Sequence, residues 1–193
     1  MQGTRDEGIE DELYLVDARD QVLGSASKSR CHDGEGLLHR AFSVFIFDSG
    51  NRLLLQRRAA SKRLWPHFWS NSCCSHPRHG ESLEDATLRR LQEELGMQAR
   101  LEPLYAFQYH ARFGTAGSEH ELCHVFFGKT DAPPVPWEAE IAAIRWVDAE
   151  SLTTEMAAEP ERFTPWFQQE WQRIRTEFWQ RILDGTPDSS TPR

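Results

Sequence analysis

A wholly apolar run, residues 44–47, lies in LLHRAFSVFIFDSGNRLLLQRR (37–58), where two β-rich runs flank the turn-forming cluster DSGN. That pattern predicts a hairpin. A second hairpin is predicted in ELYLVDARDQVLGSAS (12–27), turning at ARDQ. The period changes in ESLEDATLRRLQEELG (81–96). There Leu83, Ala86, Leu91 and Leu95 follow helical spacing, Ser82 and Asp85 form a capping box, and Gly96 supplies a stop signal. Three further strands are predicted around 100–110, 120–130 and 142–147, with the proline-rich APPVPWE between the last two. TPWFQQEWQRIRTEFWQRIL (164–183) reads as a C-terminal helix with Pro165 in its first turn. Residues 59–80 follow neither period and are rich in Trp, Pro, His, Ser and Cys. A loop this long inside a compact fold usually serves function. The polar ends, 1–11 and 184–193, are expected to be disordered, around a single domain of the α+β class.

Composition narrows the function. A formal net charge of −8 argues against a nucleic-acid footprint. A phosphate ligand would need the few cations to cluster locally. No apolar run is long enough to span a membrane, and the acidic N-terminus has no signal-peptide core. A cytoplasmic protein, monomeric or weakly dimeric, is expected. Its cysteines, Cys31, Cys73, Cys74 and Cys123, are then expected as thiols. A bond between the adjacent Cys73 and Cys74 would demand unusual backbone strain.

Two clusters carry candidate chemistry. His32, in the loop before a strand, His39 at the start of that strand, and His76 offer three imidazoles; Glu119 and Glu121, two apart, share one face of a strand. Such a set suits a divalent ion such as Mn²⁺, Zn²⁺ or Mg²⁺. Spacing alone leaves open scattered surface histidines and a solvated strand face. The adjacent cysteines of NSCCSHPRHGES (71–82) lack the separation of a zinc knuckle. In the helix, Arg90 and Glu94 stand four apart, which on its own describes an exposed salt-bridged face.

The pattern around that helix resembles the Nudix box, G-x5-E-x7-R-E-U-x-E-E-x-G-U with U aliphatic. Glu81, Arg89, Leu91, Glu93, Glu94, Gly96 and Met97 fall at its intervals. Two positions depart: Ser75 replaces the first glycine and Arg90 the helix's first glutamate. A guanidinium in place of a carboxylate removes a metal ligand and adds a phosphate-gripping fork, suiting a site that holds a diphosphate better than it breaks one. AFSVFIFDSGNRLLLQRRAASK, WPHFWSNSCCSHP, RRLQEELG and EHELC together resemble the type 1 isopentenyl diphosphate isomerases, from about Leu13 to FTPWF.

That resemblance implies a Nudix-like α/β sandwich, a mixed sheet between the box helix and the C-terminal helix. It implies interconversion of isopentenyl and dimethylallyl diphosphate, for isoprenoid biosynthesis, through a carbocation-like species. Cys74 and Glu121 would handle the protons, with Tyr109 beside the glutamate. His32, His39, His76, Glu119 and Glu121 would hold one tightly bound divalent metal. Lys28, Arg58, Lys62 and Arg90 would clamp the diphosphate, accompanied by Mg²⁺ on Glu94. Trp166 would form the wall facing the cation, with Trp69 also lining the pocket. Nearby cations are expected to shift the Cys74 thiol toward thiolate, and Cys73 to point into the core. A diphosphate-cleaving Nudix hydrolase and a degenerate Nudix-fold binding module are the competing readings.

Overall fold

Strand β3 (His39–Phe47) and strand β8 (Gly117–Lys129) run parallel, from His39 beside Glu121 to Phe47 beside Lys129. They form the centre of the fold in this computed structural model, which describes residues 11–185. Alternation sends Ala41, Phe45 and Phe47 to one face and Phe42, Val44 and Ile46 to the other, and all six are buried. Burial of both faces is why the sequence reads as an uninterrupted apolar run here. Beyond β8 lies the antiparallel β7 (Leu101–Phe113), and against β3 lies the short β6 (Cys73–Ser75). β3 turns through 48–52 into β4 (Leu53–Arg58), which pairs with β9 (Ile141–Val147) and β5 (Trp69–Ser70). The hairpin predicted over 12–27 forms as β1 (Glu12–Val16) and β2 (Val22–Ser27).

Helices cover both faces. After α1 (Lys28–His32), helix α2 (Leu83–Leu95) lays Ala86, Leu91 and Leu95 on the face of Phe42, Val44 and Ile46. Ser82 caps it, its hydroxyl accepting from the Asp85 amide at 3.1 Å and donating to the Asp85 carboxylate at 2.7 Å. Gly96 ends it at φ +63, donating to the Gln92 and Leu91 carbonyls. The opposite face is covered by α3 (Ala149–Ala158), α4 (Pro165–Arg173) and α5 (Trp179–Asp184), which bring Leu152, Trp166, Phe167, Trp171 and Ile182 against Phe45 and Phe47. The mixed sheet between helical layers is the expected α+β sandwich.

Several expectations need correction. The segment 59–80 is not wholly irregular: β5 and β6 lie inside it. His32 ends a helix rather than lying in a loop. A π-helical turn, Ile174–Phe178, divides the C-terminal helix. Of the ends expected to be disordered, Asp11 and residues 184–185 are ordered; Asp11 pairs with Arg78 and Asp184 closes α5. The remainder lies outside the described residues.

Candidate active site

The five candidate ligands meet at one end of the β3–β8 pair, within 4.8 Å of one another. Strand register explains most of this. His39 and Glu121 are neighbours across β3 and β8, and Glu119 lies two residues from Glu121 on the same face. His76 follows β6, which pairs with β3. His32 comes from α1, and its closeness depends on Gly117 at the start of β8. A Cβ there would lie 2.2 Å from the His32 carbonyl oxygen, and the backbone stands at φ +142. His32 Nδ1 donates to the Lys28 carbonyl (2.6 Å) and His39 Nδ1 to the Leu37 carbonyl (2.7 Å). Both rings are thereby held with Nε2 turned toward the cluster. His32 Nε2 lies 2.8 Å from Glu119 and His76 Nε2 lies 2.8 Å from Glu121. His39 Nε2 is buried with no hydrogen-bond partner.

Electrostatics point the same way. Burial and the neighbouring His32 push His39 down to about 4, and burial with His39 drives His76 well below its usual range. Burial opposes charge on His32, but the adjacent Glu119 outweighs it and the net shift is upward. Burial would raise Glu119, yet His32 holds it down to about 2, whereas burial and Glu119 push Glu121 far up. The neutral imidazoles of His39 and His76, with His32 and two carboxyl groups in the same buried pocket, fit a divalent ion, which would stabilise both carboxylates as anions.

Glu121 faces a second partner. Tyr109 lies directly opposite it across β7 and β8, and its hydroxyl donates to Glu121 Oε2 at 2.5 Å. The two cysteines part as strand geometry demands. Cys73 pairs with Val44 and is fully buried among Ala86, Leu91 and Leu95, whereas Cys74 pairs with Ser43 on the other face. Cys74 is half-buried and opens onto a cavity of about 400 Å³. The expected shift toward thiolate is reversed. Burial pushes Cys74 up to about 12, because Glu94, Glu121 and Glu170 offset the opposing guanidinium of Arg58.

The same cavity is lined by His32, His76, Glu119, Glu121, Tyr109 and Trp166, and by Lys28, Arg58, Lys62 and Arg90. Cations of this acidic chain do cluster here. Arg58 holds the Leu64 and Trp65 carbonyls, and its guanidinium stands 5.4 Å from the Trp166 ring centre. Trp65, itself at φ +47, meets Trp166 edge-on at 5.3 Å. Arg90 pairs with Glu94 and with Glu93 at 3.0 Å. Glu94 is buried beneath it, apart from the five-ligand cluster, and its other oxygen accepts from Gln56 at 3.4 Å. Trp69 is the exception: it does not line the cavity. Its ring is covered by Arg145 at 4.5 Å, which reaches it across β4, the strand that separates β5 from β9. Trp65, from the irregular segment, backs Trp166 in its place. Arg63 and Glu140 also line the cavity, and Gln56 stands behind Glu94. Each is a common polar residue with no sequence spacing to single it out.

A NUDIX domain profile matches residues 37–167, and the chain belongs to that family. The fold agrees: DR0079 from Deinococcus radiodurans superposes with a TM-score of 0.70 at 26% identity, covering 84% of this chain and 98% of that one. The MutT protein from Methanosarcina mazei Go1 superposes at 0.59 and 20% identity, covering 72% and 94%. Within the family, the chain belongs with the isopentenyl-diphosphate Delta-isomerases. The protein of that name from Burkholderia multivorans is 50% identical over 82% of this chain and 90% of its own length. Its namesake from Serratia proteamaculans is 48% identical over 82% and 88%.

Proposed function

We propose that this chain interconverts isopentenyl and dimethylallyl diphosphate by protonation and deprotonation. The observation that carries this reading is that Cys74 and the Tyr109–Glu121 pair open onto one cavity that also presents Lys28, Arg58, Lys62 and Arg90. Those cations bind the diphosphate and leave the hydrocarbon end to the remaining wall. One proton-handling group is the Cys74 thiol and the other is the Glu121 carboxylate, which accepts from the Tyr109 hydroxyl and exchanges a proton through it. Arg58 already rests over Trp166, so the indole face accepts positive charge, as a carbocation-like species requires.

His32, His39, His76, Glu119 and Glu121 are the residues that hold a divalent metal, and we assign Mn²⁺, Zn²⁺ or Mg²⁺ to them. Bound there, it supplies the charge that keeps Glu119 and Glu121 ionised and in place. Glu94 is assigned to a Mg²⁺ that accompanies the diphosphate; Arg90 and Gln56 engage its oxygens meanwhile. The described cysteines are all free thiols, which suits the cytoplasm, and no described helix is long and apolar enough to cross a membrane.

Incubation with isopentenyl diphosphate in D₂O, followed by NMR, is the test. Deuterium should enter the methyl and methylene positions as dimethylallyl diphosphate forms. Release of phosphate without isomerisation would instead identify a hydrolase.

A further inference from the structure

Lys62 and Arg90, two of the four clamp cations, are already occupied by a carboxylate that plays no part in the metal cluster. Glu140 bonds Lys62 Nζ, and its other oxygen lies 3.6 Å from Arg90 Nη2. It lines the cavity beside them. Its backbone is tied to the segment that carries Lys62: the Ala59 amide donates to the Glu140 carbonyl at 2.9 Å, and the Ser61 hydroxyl donates to the Ala139 carbonyl at 2.9 Å. Glu140 therefore stays near Lys62 whatever occupies the site, and only its side chain can turn aside. Lys62 is itself largely enclosed, and burial pushes it down to about 8. An enclosed ammonium needs an anion near it to remain charged. Two anions cannot share the same few donor protons without strong repulsion, so a diphosphate that takes Lys62 and Arg90 must displace this carboxylate.

We propose that Glu140 is a placeholder counter-anion: it pairs with Lys62 and Arg90 and holds them in position before the diphosphate arrives, then competes with the diphosphate for them. This rests on the reading of the cavity as an organic diphosphate site. Its consequence is a deliberate weakening of affinity. Substrate and product carry the same diphosphate, so a carboxylate that competes with one also helps expel the other.

Calorimetric binding of inorganic pyrophosphate, at fixed Mg²⁺, tests this without relying on isomerisation. Glu140→Gln keeps the shape and removes the charge; it should bind pyrophosphate roughly tenfold more tightly than the wild type. The gain should shrink in a Lys62→Met background, because one of the contested cations is then gone. With isopentenyl diphosphate, Glu140→Gln should show a lower KM, and a kcat lowered or unchanged. Equal or weaker pyrophosphate binding by both Glu140→Gln and Glu140→Ala would show that the carboxylate merely positions the lysine, and would overturn the proposal. So would a gain undiminished by Lys62→Met. Absence of isomerisation in the wild type, with the pyrophosphate effect intact, would overturn the isomerase reading and leave the competition standing.

Discussion

Cys73 and Cys74 occupy adjacent positions and have opposite surroundings, one sealed under α2 and the other open to the cavity. Chemistry and packing can therefore be separated by one residue. Cys74→Ser retains the size but replaces a thiol with a far weaker acid. Isomerisation should fall by at least the ~10²–10⁴-fold typical of general acid–base groups, with metal content and unfolding midpoint unchanged. Cys73→Ala should keep most activity and lose about 1 kcal/mol of stability, read by denaturant unfolding. If Cys73→Ala is the inactive variant, the roles are exchanged. His76 gives a second residue-level test. It contributes an imidazole that burial keeps neutral, the form in which it can bind a metal ion. His76→Ala should lower the metal retained through dialysis, measured by elemental analysis; undiminished metal would remove it from the ligand set. At this scale the sequence is informative where a residue's type and its motif coincide, as for Cys74, Glu121 and Arg90. It is silent on Glu140 and Gln56, whose roles come from long-range contact. It misleads at Trp69, where Arg145 and the pairing of β5 decide which way the ring faces.

Among the elements, those with a clear period are legible in the sequence alone: both hairpins, α2, the strands β7 to β9 and the start of α4. Helix α1 is five residues long, too short to show a period, and β5 and β6 have two and three residues. Tertiary contact, not local pattern, makes them. Helix α3 lacks a clear period but does carry a local start signal: the Asp148 carboxylate accepts from the Ser151 amide at 2.9 Å, an ordinary N-cap. The short α1 invites a test, since it brings His32 to the cluster only where Gly117 allows it. Gly117→Ala would drive a Cβ into the His32 carbonyl and should displace α1, weakening metal retention in a chelator competition. Gly114→Ala is the control. Gly114 also has positive φ (+54), but a Cβ there meets nothing within 4 Å, so the substitution should cost about 1 kcal/mol of stability and spare the metal. Equal effects of the two on metal retention would dismiss the clash.

Across the whole molecule, a buried group outside the cavity also ties stability to pH. Glu170 is fully enclosed between α4 and the sheet, where its carboxyl faces Ser43 and Cys123 and its backbone carbonyl accepts from the Tyr105 hydroxyl, and burial pushes that carboxyl up to about 8. The folded protein thus holds a proton that the unfolded chain releases near its ordinary carboxylate value, so the contribution of Glu170 to stability falls as pH rises from about 4.5 to about 8 and levels off above. Glu170→Gln should flatten that part of the pH–stability curve measured by urea unfolding; curves that remain parallel would show that Glu170 is not its source. The five-ligand cluster has a mechanical counterpart at the same scale. Its members come from α1, β3, the end of β6 and β8, and so span nearly half the chain, from residue 32 to residue 121. An ion held there acts as a removable clasp, fastening four separate segments at a single point and closing the long loops between them. Stripping it should loosen the molecule from that end first. Amides of residues 28–38 should exchange with deuterated solvent sooner than those of α2, whose contacts lie on the opposite face of the sheet.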